Sequence, residues 1–508
     1  MTISFDSISI DLHTPGQFLK PGRSPAAQGD GPPARILAIG QKLPAGAARA
    51  NLPVPVADEA EARRLFGAGS MLHLMFRTLR AGNRETEAWA LPIEDDDRAS
   101  FAMGALTLAG RSEAAGPLTL FVGGRPLHLE VAPGEPNLRI AERLAEEINT
   151  AGDLPIEASA SDGGILLRAR HAGRAGNDID LRFGRAFGEG PPPGLMAGVF
   201  PMGGGGANPD IAGALANLGE LWFSDIAMAY TDAANLAVLE AELARRFGPG
   251  AQLDAHAYAA AAGTHGELTT LGNSRNSPHL TIIGAKGGPS APWDWAAALA
   301  GALAPQAARD PARPPRTLPL AGIVAPALAD RFTRQERDLL HHDGISTFQV
   351  DEGGRVLIDR AVTLRKIPHA LLTDPTFDEP GPQDLSAVKT LTFLRYAVRR
   401  HIARRFPRVR LADDGTALGP DQGTVTPAVI RAELVALLRG WARDGRIEHL
   451  ERLEAGLQVA RDPDDPERVV ASIPPGIAER YALFAGLACS GPSRKSPAEN
   501  PGDPEGQA

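Results

Sequence analysis

Three segments of this 508-residue chain carry residue types that could do chemistry. His341, His342 and Asp343 offer two imidazoles and a carboxylate, the donor types of a divalent metal site. Neighbours along a chain point to different sides of a regular element, so the triplet reads as a polar helix end. Gly284-Ala285-Lys286-Gly287-Gly288-Pro289-Ser290 follows an apolar run, as a phosphate loop would. It lacks the spacing of such a loop, and Pro289 removes an amide that would face the anion. Gly67-Ala68-Gly69-Ser70 stands between two helical patterns and reads as a helix end followed by an N-cap at Ser70. No Gly-x-Ser-x-Gly elbow occurs, and the single Cys489 lies in a polar tail. No catalytic, cofactor-binding or metal-binding residue is expected, and the protein reads as something other than an enzyme.

One charge pattern stands out. Arg395, Arg399, Arg400, Arg404, Arg405, Arg408 and Arg410 occur with no acidic residue between Asp384 and Asp413. Leu391, Leu394, Val398, Ile402 and Phe406 recur at helical spacing through the same stretch, which reads as an amphipathic helix. Arg395 and Arg399 make one row beside the apolar stripe; Arg400, Arg404 and Arg408 make another. Such a face can simply be solvated. In a chain of net charge -9, however, seven like charges repel unless an acidic partner meets them.

Composition narrows the partners. Aromatic residues make up 5% of the chain and the balance is acidic, so direct nucleic-acid binding is not expected. One cysteine forms no internal disulfide. The first ten residues show no positive region followed by an apolar run, and no long uncharged apolar stretch occurs anywhere. Neither export by a signal peptide nor membrane insertion is expected.

The elements that must position these residues fall into several units, since the chain exceeds the size at which one core stops growing. Residues 1–34 read as an extended arm, with Ile3, Phe5, Ile8 and Ile10 followed by Pro15, Gly16, Pro21 and Gly22. Residues 35–96 and 207–318 read as the two parts of one α/β sheet, interrupted by an insert at 97–206. Within the insert, Leu118, Leu120 and Val122 alternate before Gly123-Gly124, and Leu127, Leu129 and Val131 alternate after it. A helix face at Ile140, Leu144 and Ile148 and a second hairpin around Asp162-Gly163-Gly164 complete a β-rich ββαββ module. The Pro- and Gly-rich stretch 191–206 reads as its exit loop. Ala304 to Pro319 reads as a Pro-rich linker. Residues 319–488 read as a C-terminal α+β domain and 489–508 as a disordered tail. The fold class is multidomain α/β (α+β).

The opening Met1 to Ile8 with Thr14-Pro15-Gly16, the run Ile36 to Gln41, and Leu65-Phe66-Gly67 with Gly69-Ser70-Met71 mark the N-terminal part. Gly176-Asn177-Asp178-Ile179 and Asn208-Pro209-Asp210-Ile211 mark the edges of the insert. Tyr230 to Leu236, Thr264-His265-Gly266 and Gly272 to His279 are the most specific blocks, and His342 to Phe348, Leu411 to Gly415 and Arg431 to Leu434 extend the series. In the order and number of these blocks the sequence resembles the Mu-like phage contractile tail sheath family.

The resemblance implies a structural subunit that stacks as hexameric rings around a tail tube and contracts to drive it through the host envelope for genome ejection. Its implied partners are other copies of itself, the tail tube protein, and the baseplate and tail terminator proteins. The implied location is the virion tail, assembled in the host cytoplasm. Ile3, Phe5, Ile8 and Ile10 become candidates for inter-subunit strand exchange, and Arg399, Arg400, Arg404 and Arg408 candidates for tube binding. The insert is expected on the outer surface. Where the family usually closes on an alternating apolar strand near Tyr481 to Ala488, this chain runs on into its Pro-rich tail. An exchanged C-terminal strand is then either drawn from Leu457 to Ile473 or weakened. A sheath of a headless contractile particle and an α/β ligand-binding enzyme are the competing readings.

Overall fold

The computed structural model describes residues 31–161, 164–184, 190–248, 251–364, 384–407, 409–416, 423–461 and 469–472. The expected exchange strand at Ile3, Phe5, Ile8 and Ile10, the residue Arg408 and the tail 489–508 lie outside these residues.

The chain opens with β1 (Arg35–Gln41), β2 (Val54–Pro55), α1 (Glu59–Phe66), α2 (Met71–Gly82) and β3 (Glu87–Ile93). An insert follows with β4 (Phe101–Gly110), β5 (Gly116–Val122), β6 (Arg125–Val131), α3 (Asn137–Thr150), β7 (Ile156–Ser161), β8 (Gly164–Ala172), β9 (Leu181–Phe183) and β10 (Leu195–Gly203). The α/β pattern then resumes with α4 (Ala212–Ala216), β11 (Asp225–Met228), α5 (Ala233–Phe247), β12 (His256–Ala261), α6 (His265–Asn273), β13 (Leu280–Gly284), α7 (Pro292–Arg309), α8 (Arg334–His342), β14 (Ile345–Val350) and β15 (Val356–Arg360). The last part holds α9 (Leu385–Arg405), β16 (Arg410–Leu411), β17 (Thr424–Val425), α10 (Pro427–Arg443), α11 (Leu450–Gly456), β18 (Gln458–Arg461) and β19 (Val469–Ser472).

Eight strands make the central sheet, in the order β15-β14-β13-β12-β11-β1-β3-β2. The six from β14 to β3 are parallel, and antiparallel β15 and β2 close the edges. Strands of such a sheet are covered on both faces and read as unbroken apolar runs, as Ile36-Leu37-Ala38-Ile39 does. The sheet extends past residue 318: β14 and β15, which the sequence division assigns to the C-terminal unit, pair into its far edge.

Helix ends follow local chemistry. Thr264 with Glu267 and Thr333 with Glu336 form reciprocal capping boxes on α6 and α8, and Pro427 occupies the first turn of α10. Helix α7 is apolar almost all round and is buried between the sheet and α2. It continues to Arg309 through Pro305, so the expected linker begins later than Ala304. A helical proline deprives the carbonyl four residues earlier of its amide partner. Here that carbonyl is Gly301 O, and it accepts from Asn83 Nδ2 at 3.1 Å. A Cβ at Gly301 would stand 3.2 Å from Leu79 O, so glycine permits the close crossing of α7 over α2.

The insert has more strands than the ββαββ reading. β10-β4-β8-β7 form one antiparallel sheet and β6-β5-β9 another, with Ile140, Leu144 and Ile148 of α3 buried between them. β4 and β10 were hidden by their Ala, Gly and Pro content, which has weak strand preference. Pairing overrides it: Leu195 to Phe200 run in register with Gly110 to Ala105. The module's two chain ends meet at a Ser100–Gly206 bridge.

The C-terminal helices enclose a separate core of Phe393, Val425, Ile430, Leu434, Leu438 and Trp441. Leu385, at the start of α9, belongs instead to the core of the central sheet. One 21-residue helix is thus shared by two cores.

Candidate functional site

Helix α9 positions the basic residues, and its two rows of arginine face different surroundings. Arg395 lies over the Phe247 ring at 3.7 Å. It donates to Asp254 Oδ2 at 3.1 Å and to Phe247 O at 2.9 Å. Arg399 donates to Gln252 O at 3.0 Å and Gln252 Oε1 at 2.6 Å, and sits over the Trp222 and Tyr396 rings. This row docks α9 against the loops at the amino ends of β11 and β12. Burial raises the Asp254 pKa, with Arg395 and Arg399 opposing that rise.

The second row points elsewhere. Arg400 is half-buried with a partner of its own, and Arg404 is exposed. Arg405 pairs with Glu433 on α10 at 2.9 Å, and His401 reaches the same carboxylate at 3.2 Å. The acidic partners that the arginine run demands are therefore in part supplied within the chain, by Asp254 and Glu433, which are distant in sequence.

Sequence reasoning missed a buried cation of this interface. Lys389 Nζ donates to Asp225 Oδ1 at 2.7 Å and to Ser224 O at 3.1 Å. The same carboxylate accepts from Tyr258 Oη at 2.8 Å and from Ser224 Oγ at 2.7 Å. Burial raises the Tyr258 pKa well above its ordinary value, and Asp225 adds to the effect. Burial also pushes His256 well below its ordinary value, with Lys389 the next cause. The available signal was position: Lys389 falls four residues after Leu385 and four before Phe393, on the apolar face where a charge requires a buried partner.

The other candidate segments are used structurally. His341 is buried and its Nε2 lies 2.7 Å from Thr347 Oγ1, while His342 is half-exposed beside Asp338. Among the described residues no group of His, Cys, Asp and Glu could hold a metal ion. Ser70 caps α2 by accepting from His73 N, and Met71 N donates to His171 Nε2 of the insert at 3.1 Å. The glycine loop before α7 packs against Trp295 and Asp330, and Ser290 Oγ accepts from Val324 N.

Open parallel sheets hold ligands beyond the carboxyl ends of their strands, where the strand order reverses. At that place the insert packs down on the sheet. Asp95, just after β3, takes Gln41 Nε2 at 2.7 Å, His171 Nδ1 at 2.8 Å and Ala172 N at 2.8 Å. Gln41 also donates to Ala172 O at 2.7 Å. Nearby the sequence blocks converge on the neck: Asn208 Nδ2 donates to Asp232 Oδ2, Asn235 Nδ2 to Pro209 O, and Asn177 and Gly205 exchange two bonds.

Comparison with known proteins bears directly on this architecture. The model of the phage tail sheath protein central domain matches residues 204–364, and that of the phage tail sheath C-terminal domain matches 380–481. The "Mu-like prophage FluMu tail sheath protein" of Haemophilus influenzae is 33% identical over 488 residues, covering 96% of this chain and 99% of that protein. Among solved structures, a sheath tail protein from Desulfitobacterium hafniense is 13% identical with a TM-score of 0.45, covering 90% of this chain and 99% of that one. The contracted helical sheath of the anti-feeding prophage gives 10% identity and a TM-score of 0.45, covering 97% and 100%. On the near full-length match to the Haemophilus protein and the two domain models, this chain belongs to the Mu-like phage tail sheath family.

Proposed function

We propose that this chain stacks as hexameric rings into a helical sleeve around a tail tube, and that the sleeve contracts to drive the tube through the host envelope for genome ejection. The observation that carries the reading is the identity to a tail sheath protein along nearly the whole of both chains. Heterologous contacts that do not close generate helical polymers, the assembly such a subunit needs. The N-terminal residues Ile3, Phe5, Ile8 and Ile10 would add a strand to a neighbouring copy, giving a joint of backbone hydrogen bonds that survives rotation of the folded bodies. Arg400, Arg404 and Arg408 would meet acidic groups on the tube; Arg399, already bonded to Gln252, would contribute its field from behind. The insert would face outward, with the baseplate and tail terminator proteins at the two ends of the sleeve.

At the carboxyl ends of β1 and β3, Gln41, Asp95 and His171 bond to one another, which fits a structural use of that end of the sheet. Negative-stain microscopy of the purified chain, alone and with its tail tube protein, tests the proposal. Long tubes of uniform width are expected. A monodisperse small species that binds a metabolite overturns it.

A further inference from the structure

The four-stranded sheet of the insert has an outer face that breaks the usual alternation. An antiparallel sheet with one face on a core normally turns polar side chains to water on the other. Here Leu106, Ile165 and Leu167 fill the core, yet the outward positions hold Phe101, Met103, Leu166, Met196 and Phe200. Phe200, Met196, Leu166 and Met103 are 61%, 66%, 50% and 46% exposed. Register gathers them: Phe200 lies opposite Ala105, Ala105 lies opposite Leu166, and Met103 lies beside that row. A row of small side chains, Gly198, Thr107 and Gly164, crosses the sheet next to this ridge.

Charge and size limit what can cover it. Arg168 on this face is paired with Glu157 at 2.7 Å and lies 4.8 Å over the Phe101 ring. The face therefore offers a ridge of apolar atoms beside a charge pair already satisfied, and nothing that favours a phosphate or an acidic peptide. At roughly 200 Å² for a large side chain, the exposed apolar patch amounts to roughly 500 Å², below the ~800 Å² per partner of a free-standing complex. It can hold a partner only when other contacts bring that partner alongside. Addition of a strand to the edge at β10 is opposed by Pro201, which has no amide, and by the bulge between Phe200 and Gly203. The contact must run across the face.

We propose that this face is a lateral contact between neighbouring copies of the chain, covered in the assembled sleeve by an apolar surface of the next copy. The inference rests on the polymer reading above, which supplies a partner already held in place. In a polar helical stack the contact is heterologous, so the face meets a different surface of its neighbour. Two methionines and a row of small residues suit such a surface, because thioethers adapt to irregular partners.

The test places a photoreactive benzoyl-phenylalanine at Phe200 in the full chain, with isotopically heavy and light copies mixed and assembled on the tail tube protein. Cross-links between heavy and light copies, to a site other than 200 and only in tubes, are expected. In parallel, Phe200→Glu should raise the protein concentration needed for assembly at least tenfold, since it sets a charge into apolar burial, and leave the melting temperature of the unassembled chain unchanged. Tubes that form with cross-links confined to one copy, or with none, overturn the inference, as does assembly of Phe200→Glu at the wild-type concentration. Failure of the wild-type chain to form tubes overturns the polymer reading and this inference with it, so the two failures are distinct.

Discussion

Replacing Lys389 by Met removes the ammonium that ties α9 to the central sheet while keeping the length of the side chain. Both charges of the pair are buried, with 9% and 3% of the side-chain surface exposed at Lys389 and Asp225. Removing one member of such a pair typically costs about 3 to 5 kcal/mol, because the survivor is a buried charge without its counter-ion. Two features hold the expected loss toward the lower end. Asp225 keeps the donors Tyr258 Oη and Ser224 Oγ, and Ser224 O keeps its bond from His256 N. A loss of about 3 kcal/mol is therefore expected for Lys389→Met. Asp225→Asn should lose a comparable amount, since it leaves the ammonium facing a neutral amide.

The double variant discriminates between a lost contact and an orphaned charge. Removing both charges should restore most of the stability, leaving a coupling of roughly 2 kcal/mol or more in the cycle. Urea unfolding of the unassembled chain at neutral pH, following the transition in which Trp222 changes its surroundings, reads all four proteins. The reasoning is refuted if Lys389→Met alone shifts stability by less than about 0.5 kcal/mol, or if the double variant loses the sum of the two singles.

Asn83→Ala should destabilise the chain by about 1 to 3 kcal/mol by orphaning Gly301 O, the carbonyl that Pro305 leaves without an amide; thermal unfolding checks it. Burial lowers His73, His279 and His341 to about 4 each, so the unfolded chain binds protons that the folded chain refuses between there and 6.5. That contribution is complete above the unfolded value and is lost as pH falls toward 4, and His341→Gln should make the decline shallower by about 1 kcal/mol per pH unit, more between pH 6 and 5 than between 7 and 6, read from urea unfolding at pH 7, 6 and 5. Deleting residues 2–12 should abolish regular sheath tubes in micrographs; normal tubes would dismiss the exchanged strand. Arg400→Glu with Arg404→Glu should weaken assembly on tail tubes most at low salt, and unchanged pelleting with tubes there would dismiss the tube contact.

Most of the central sheet was legible because strands such as β1 and β13 are apolar runs between turn residues, but the polar residues of β14 left its far edge assigned to the C-terminal unit; the helices were legible from their apolar stripes and, for α6 and α8, their caps. The arginine helix was legible too, with its first row and the start of its second, although α9 ends at Arg405 and Arg408 lies outside the described residues. What the rows do was not, because Asp225, Asp254 and Glu433 reach α9 only through tertiary contact, and no local spacing announces a partner more than 25 residues away. β4 and β10 were missed for a related reason. Their alanines, glycines and proline carry little strand preference, and only their pairing with each other and with β8 makes them strands. Pro305 misled in the opposite sense, since a remote asparagine repairs the helix it would otherwise end.

The docking of α9 shows why a structural protein would keep a buried ion pair that an apolar contact could replace. Burial of charge adds little net stability, but it accepts few geometries: Lys389 is satisfied only where Asp225 Oδ1 and Ser224 O converge. An apolar contact slides by an ångström at small cost, whereas the ammonium cannot. Arg395 and Arg399 repeat that constraint about two and three turns further along, each with an aromatic ring beside its guanidinium. Three such anchors along one helix determine both its rotation and its translation against the sheet. In the helical stack proposed above the same error would recur in every copy, so a few degrees of freedom between the two cores would accumulate along it. Groups that are satisfied in one orientation and penalised in all others are the means by which a single chain holds that angle.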